Sequence, residues 1–424
     1  MTGQSDLATL GTVAPAMPAR PESLWLAAIP FLCMVPLLAG APVNVPLAGR
    51  EMAIGPFDGG LAVLVLLVPT WWRRLPPLTV ATGAAVAFIL WCGLSAALWS
   101  LDERRSAMAT LVLVQATVVF IICHNALAVS TRPAFLLALR AFGAILSIQI
   151  VWVVSHIVST GDPQEFYRFK NETQVPLGGS NYLAVFLEFC LVYELVRRAP
   201  GWLVFAALEA VAIVLTFSRG ALVALAGALV LVTVSFLARR GERRGAVVVG
   251  ALAAIAGLAL AAVPRGRLLL QAFSTLTYTA ASRAELWSYA WAAAAEAPLT
   301  GVGFGAYEVV GGVRDPHGTL FKLLAETGVP GVLLFGILLG GFAAIALRAA
   351  LRPSAHAERR REGWALCLAL SPVLAHSLIE PFFFSRSAFW MAVVLAWMAV
   401  LPGSPAFPPD EPPPARGGSD LTAS

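Results

Sequence analysis

Three basic side chains stand out as residues that could act on a phosphorylated substrate. Arg219 lies in TFSRGAL, Arg283 lies in SRAELW, and His317 opens the stretch HGTLFKLLAETGVPG. Arginine makes two parallel hydrogen bonds to phosphate oxygens, and a cluster of arginines can take the place of a metal on a diphosphate. A neutral imidazole at the water boundary can accept a proton from a hydroxyl. These residue types suit transfer of a group from a diphosphate to a hydroxyl.

Each of these residues also has a simpler interpretation. An arginine at a membrane boundary can extend its charged end to the interface, and a lone histidine often has a packing role. Four further cations are candidates for binding the diphosphate or anionic groups of an acceptor: Arg168, Lys170, Arg314 and Arg386. The first two lie beside Tyr167 and Phe169, which also suit an aromatic belt at the membrane interface.

Sequence motifs for metal or nucleotide chemistry are weak in this chain. The sequence has no D-x-D, no H-E-x-x-H and no histidines at ligand spacing, and its five cysteines all lie within apolar runs. We therefore expect no metal and no cofactor. The glycines Gly301, Gly303 and Gly305 form a G-x-G-x-G that follows no predicted strand, so we interpret it as a flexible loop.

The composition defines the elements that must position these side chains. Of the 424 residues, 58% are hydrophobic and only 12% are charged, and the mean hydropathy is +0.79. That charge content is about half that of an ordinary soluble domain, so a soluble enzyme is excluded. The net charge of +5 forms no contiguous basic face, which argues against nucleic acid as a partner. The sequence predicts an all-α polytopic membrane protein.

About twelve apolar segments are long enough to cross a bilayer. Residues 22–264 hold the first nine spans, residues 265–328 form a large loop with amphipathic helices, and residues 329–401 hold the last three. Residues 1–21 and 402–424 are predicted to be tails, the second of them disordered. The predicted spans are 22–40, 56–72, 78–100, 107–129, 133–158, 178–197, 200–217, 220–238, 246–264, 329–349, 364–380 and 385–401.

The arginine distribution predicts which side faces the cytoplasm. The loops on the side of the termini carry sixteen Arg and Lys residues, against seven on the other side when 265–328 is set aside. Both termini are therefore expected in the cytoplasm, and the large loop outside. In that loop Arg283, Trp287 and Trp291 share one helical stripe, which predicts a helix lying on the membrane surface or capping the bundle. A second helix is predicted just after His317, with a break at Gly328 and Pro330.

The ordered set of motifs resembles a known family. TFSRGALVAL, SRAELW, GVGFGAYE and HGTLFKLLAETGVPGVLLFG, spread over roughly residues 175–345, are similar to the O-antigen ligase and O-antigen polymerase superfamily of bacterial envelope glycosyltransferases. The resemblance implies a GT-C type, inverting, metal-independent enzyme of the inner membrane with a periplasmic site. Its donor would be a glycan on undecaprenyl diphosphate, and in a ligase the acceptor would be a sugar hydroxyl of the lipid A-core oligosaccharide. It also implies that Arg219, Arg283 and His317 are catalytic.

Two other functions remain open at this point. A polymerase of the same superfamily would join lipid-linked repeats of O-antigen or exopolysaccharide, and the compact outer loop favours a ligase only modestly. A twelve-span transporter would show two related halves, and the first half contains no repeat of the SRG or histidine segments. The ionisable residues placed mid-membrane by the predicted spans are Arg140, Glu188, Glu209 and His376, for which packing roles are expected.

Overall fold

The computed structural model describes residues 24–34, 43–47, 50–54, 79–130, 134–160, 180–238, 250, 276–310, 316–352, 356–384 and 387–403. Within these ranges the chain is helical, apart from connecting turns and one antiparallel hairpin in which Val43 pairs with Ile54 and Leu47 with Arg50. The elements, labelled in chain order, are α1 (Leu24–Met34), β1 (Val43–Leu47), β2 (Arg50–Ile54), α2 (Val80–Trp99), α3 (Glu103–Val129), α4 (Ala134–Thr160), α5 (Ser180–Arg197), α6 (Trp202–Leu215), α7 (Arg219–Ala238), α8 (Leu276–Glu296), α9 (Tyr307–Val310), α10 (Thr319–Leu351), α11 (Ala357–Ser377) and α12 (Ser387–Val400), with short 3-10 turns at Phe382–Phe384 and Leu401–Gly403.

Several of these helices have the length and apolar character of membrane spans. Among the described residues, α2, α3, α4, α7 and α10 are long and apolar enough to cross a bilayer, and α6 and α12 are shorter apolar helices. The protein is thus a helical integral membrane protein, as the composition predicted. The predicted spans 56–72 and, apart from residue 250, 246–264 lie outside the described residues, as do the tail 1–21 and the chain beyond residue 403.

The buried centre of the bundle is formed by α5 and α12. Nearly every side chain of both helices is buried. Burial on all faces is typical of a helix that is surrounded by other helices. Helix α5 packs against α6 and α11, while α12 packs against α3. The outer helices instead expose large apolar side chains, such as Leu90, Val230 and Leu333, on the face that a membrane would cover.

Helix α10 is longer than its predicted span of 329–349. It begins at Thr319, and its interior contains a break at Gly328, where φ is +66°. The turns before that break carry Lys322 and Glu326. Their charges lower the mean hydropathy of these turns, so the predicted span does not include them. The helix predicted just after His317, with its break at Gly328, is thus confirmed, and it continues the span toward the site described below.

The G-x-G-x-G segment is not the flexible loop that we expected. Gly301 and Gly303 both have positive φ, and a Cβ on Gly301 would lie 2.3 Å from the carbonyl carbon of Glu326. A Cβ on Gly303 would lie 2.3 Å from the Cα of Ser100. The expectation was wrong because the glycines permit close backbone packing of this segment against α10 and against the α2–α3 turn.

The connections place the starts of α5, α7 and α10 and the end of α11 at one end of the bundle. The opposite end contains buried ion pairs: the Arg140 side chain donates to the Glu194 carboxylate at 2.6 Å, and Arg197 does the same to Glu362 at 2.6 Å. Helix α4 begins at Ala134, so Arg140 lies near the start of that helix, at this opposite end. These pairs satisfy buried charges and lie far along the helices from the end that carries His317.

Candidate functional site

A single buried carboxylate joins two of the three predicted catalytic residues. Nη2 of Arg283 lies 3.0 Å from Oε1 of Glu380, and Nδ1 of His317 lies 3.4 Å from Oε2 of the same side chain. Nδ2 of Asn181 donates to Oε1 at 3.0 Å, and the hydroxyl of Thr319 donates to the Glu380 carbonyl oxygen at 3.2 Å. Residues from the beginnings of α5 and α10 and from α8 therefore converge on the turn that follows α11.

Sequence reasoning missed Glu380, because it fell at the end of the predicted span 364–380. A signal was present: an acidic residue at the outer end of a span, on the side to which Arg219, Arg283 and His317 were already assigned. A carboxylate at that position needs a cationic partner when it is buried. The structure ends α11 at Ser377, which places Glu380 beyond the helix.

The backbone of His317 is held in an unusual conformation. Its φ is +48°, a left-handed value that is uncommon for residues other than glycine. Nε1 of Trp287 donates to the His317 carbonyl oxygen at 3.2 Å, and the Trp287 ring stacks on Phe321 with centroids 4.8 Å apart. The adjoining Gly318 has no room for a side chain, since a Cβ would lie 2.9 Å from the Leu378 carbonyl oxygen. Local strain of this kind is often found at functional sites.

Helix α8 presents Arg283 to this cluster, but only part of the predicted stripe points inward. Arg283 is half-buried against Glu380 and Trp287 is half-buried against Phe321, whereas Trp291 is 64% exposed. The buried side chains of α8 include Leu286 and Ala290, which lie one position away from the predicted stripe. The helix packs on α10, in accord with the expectation of a cap on the bundle.

Arg219 is positioned at the same end by a helix start. The Ser218 hydroxyl accepts the backbone N–H of Ala221, which caps α7, and Arg219 is the first residue of that helix. Gly220 lets α7 approach the turn after α11 closely, because a Cβ there would lie 2.4 Å from Cδ1 of Ile379. The residue that Gly220 touches is the neighbour of Glu380, so Arg219 starts its helix beside the Glu380 turn.

The positive groups keep the Glu380 carboxyl ionised. Burial by itself raises the pKa of this group, but the hydrogen bond and electrostatic interaction with His317, together with the charge of Arg283, outweigh burial and leave the pKa below its ordinary value. Glu380 is therefore an anion near neutral pH. With Nδ1 of His317 directed at that anion, the Nε2 atom is the ring nitrogen left to take a proton from a substrate.

A second acid–histidine pair lies beneath this cluster. Nδ1 of His376 lies 3.5 Å from Oε2 of Glu188, and both side chains are fully buried. We expected His376 to be a histidine of the protein core, and its position agrees with that expectation. A Cβ on Gly220 would lie 3.3 Å from Nε2 of His376, so the pair supports the start of α7.

Four predicted binding residues, Arg168, Lys170, Arg314 and Arg386, lie outside the described residues. Their assignment to substrate binding stays a prediction. The expectations of no metal and no cofactor stay predictions too.

The fold and the site together define a helical membrane protein with arginine and histidine side chains gathered at one end of the bundle. Residues 203–336 match the family model described as O-antigen ligase. This match, which includes Arg219, Arg283 and His317, confirms the predicted resemblance to the O-antigen ligase and polymerase superfamily over that part of the chain. Glu380 lies beyond the matched region. A comparison with curated proteins found no match.

Proposed function

We propose that this protein is an O-antigen ligase, which transfers a glycan from undecaprenyl diphosphate to a sugar hydroxyl of the lipid A-core oligosaccharide. The observation that carries the proposal is the Glu380 carboxylate, which joins Arg283 and His317. Arg283, which would bind the diphosphate, and His317, which would accept a proton, are therefore close enough to act on the donor and the acceptor of one glycosyl transfer. The match of residues 203–336 to O-antigen ligases supports the same reaction class.

Arg219 and Arg283 bind the donor in this mechanism. Their guanidinium groups hold the diphosphate oxygens and stabilise the negative charge that grows on the diphosphate as the anomeric C–O bond breaks. Arg168, Lys170, Arg314 and Arg386 are proposed to assist at the diphosphate or at anionic groups of the acceptor. No metal or cofactor takes part in these steps.

His317 activates the acceptor. Its Nε2 takes the proton of the acceptor hydroxyl while that oxygen attacks the anomeric carbon from the face opposite the diphosphate. A new C–O bond forms, the bond to the diphosphate breaks, undecaprenyl diphosphate leaves, and the anomeric configuration is inverted. Glu380 orients the imidazole through Nδ1 and stabilises the imidazolium that results.

The proposal includes a place and a topology. The enzyme lies in the bacterial inner membrane with about twelve spans in a GT-C type arrangement, both termini in the cytoplasm and the site in the periplasm. The arginine-rich helix ends, with Arg197, Arg348 and Arg352, then face the cytoplasm. The end with Arg219, Arg283 and His317 faces the compartment in which a flipped lipid-linked glycan would be used.

A polymerase that joins lipid-linked repeats is the second candidate, because the match covers features that the two activities share. Both enzymes would use the same donor and the same proton transfer, and they differ in the acceptor. A polysaccharide transporter is less favoured, since transport requires no cation–carboxylate–imidazole cluster at one membrane boundary.

Deletion of the gene separates these functions. We expect lipopolysaccharide from the deletion strain to lose its whole polysaccharide ladder while core–lipid A stays intact and lipid-linked glycan accumulates. A restored His317→Ala copy is expected to insert normally and to leave the ladder absent, and the wild-type copy is the control. A core carrying one repeat would indicate a polymerase instead, and full activity of His317→Ala would remove the proposed base.

A further inference from the structure

A polar cavity lies at the same end of the bundle, on the α2–α3 side of α10. Its volume is about 460 Å³. Three cations and three acids line it: Arg104, Arg105, Lys322, Asp102, Glu308 and Glu326. Phe304 and Phe384 supply apolar surface in the same wall. Arg219 and Arg283, which are proposed to bind the donor, are not among its lining residues.

The charges in this cavity are balanced by ion pairs. Arg105 pairs with both Glu308 and Asp102, and Nζ of Lys322 lies 3.5 Å from Oε1 of Glu326. A cavity with equal numbers of cations and anions is poorly suited to a diphosphate. It suits a neutral polyol, because sugar hydroxyls both donate to carboxylates and accept from guanidinium groups. The two phenylalanine rings provide surface for the C–H faces of a sugar.

An apolar groove begins where the polar cavity ends. Phe384 lines both, and its ring lies 5.7 Å from that of Phe304 on the polar side and 5.8 Å from that of Phe335 on the apolar side. The groove runs between α2, α3, α10 and α12 and follows α12 from Ala388 to Leu395, a length of roughly 10 Å. A polar cavity above an apolar groove matches an amphiphile with a glycan head and a hydrocarbon chain.

The cavity lies beside the proposed base. Lys322 follows His317 by five residues on the same helix start, which corresponds to roughly 8 Å along the axis. Phe384 ends the short segment that begins at Glu380. One turn therefore connects the carboxylate that contacts His317 with the wall of the cavity. A glycan in the cavity therefore lies next to His317 along the start of α10.

We infer that this cavity and groove form the acceptor site, where the core oligosaccharide lies against Arg104, Arg105 and Glu308 and an acyl chain enters the groove. The inference rests on the proposed function for the identity of the acceptor. It assigns the donor to the Arg283 side of His317 and the acceptor to the cavity beside Lys322.

Binding measurements on the full-length protein in lipid nanodiscs test this inference without turnover. The probe is fluorescently labelled core–lipid A extracted from a strain that makes no O-antigen. Met108→Trp fills the cavity from an exposed lining position, and Glu308→Gln removes one carboxylate without changing size. Leu111→Trp, at an exposed position one turn further along α3 that does not line the cavity, is the matched control. We expect both cavity variants to bind the probe at least tenfold more weakly and the control to bind like the wild type.

Three results would overturn the assignment of the acceptor site. They are unchanged binding of the probe by both cavity variants, equally weakened binding by Leu111→Trp, or cavity variants that bind undecaprenyl-diphosphate-linked glycan more weakly while they bind core–lipid A normally. Glu308→Gln keeps the test decisive if Met108→Trp does not fold. A separate transfer assay with wild-type protein tests the reaction itself. Absence of transfer in that assay would refute the proposed function, while the binding result would still stand for or against the cavity.

Discussion

Glu380 has a defined electrostatic role at the residue scale. Its pKa is lowered in the folded protein, because His317 and Arg283 together outweigh the effect of burial. A carboxyl whose folded pKa is lowered contributes stability above its unfolded pKa, and that contribution is lost as the pH falls through the folded pKa. The ordinary value is 4.5, so the contribution of Glu380 is complete at neutral pH.

Glu380→Gln should therefore lower the melting temperature at pH 7 but have little effect in acid. The loss at pH 7 corresponds to about 1.5–3 kcal/mol, the usual value of a hydrogen bond to a charged group. Thermal unfolding of both proteins in detergent, followed from pH 7 down to pH 3, measures the difference. A difference between the two melting temperatures that grows as the pH falls would contradict the assigned ionisation of Glu380.

Arg219 is predicted to need its guanidinium and not only its charge. Arg219→Lys keeps the positive charge at the start of α7 but loses the two parallel hydrogen bonds to phosphate oxygens. The transfer rate should fall on the order of tenfold to a hundredfold, with little change in melting temperature. Steady-state transfer by purified protein measures this, and Arg348→Lys at the opposite end serves as the control. Equal activity of Arg219→Lys and wild type would exclude a bidentate contact.

At the scale of elements, the connection into α10 depends on one close approach. Gly318→Ala would place a Cβ 2.9 Å from the backbone oxygen of Leu378, whereas a Cβ on Gly336, in the same helix, would meet nothing within 4 Å. The first change should destabilise the protein by about 1–3 kcal/mol through overpacking and displace His317. Gly336→Ala should leave stability unchanged or raise it by up to about 1 kcal/mol.

Melting temperature and transfer rate, measured side by side on the two glycine variants, test this argument. The steric prediction requires Gly318→Ala to lose both stability and activity while Gly336→Ala keeps both. Similar behaviour of the two variants would show that the turn between His317 and α10 tolerates a side chain, and the tight positioning of the imidazole would then be wrong.

The elements also show what the sequence could predict and what it could not. Spans such as α2 and α4 agree with their predicted ranges within two residues, because a bilayer imposes length and apolarity on each segment separately. The G-x-G-x-G packing was mispredicted, since it depends on contacts between segments distant in the chain. Glu380 was missed for the same reason: its function arises from Asn181, Arg283 and His317, which only the tertiary structure brings together.

At the scale of the whole molecule, the two ends of the bundle differ in charge and so predict an orientation. Helix α11 carries Glu358 and the run Arg359–Arg361 near its start and ends beside Glu380, so it connects the arginine-rich end to the candidate site. The positive-inside rule assigns the arginine-rich end to the cytoplasm. This assignment predicts a periplasmic site, which is the compartment that the proposed lipid-linked donor requires.

Cysteine labelling tests this orientation. Cys33, Cys92, Cys123 and Cys190 are buried, and Cys367→Ser removes the half-buried thiol, so little background labelling is expected. A new cysteine at Glu285, on the exposed side of α8, should react with a membrane-impermeant maleimide in cells whose outer membrane alone is permeabilised. A cysteine at Arg360 should react only after the inner membrane is opened. The reverse pattern would place His317 and Glu380 in the cytoplasm and would refute a periplasmic glycan transfer at that site. The roles of Arg219 and Glu380 would still be tested by the variants described above.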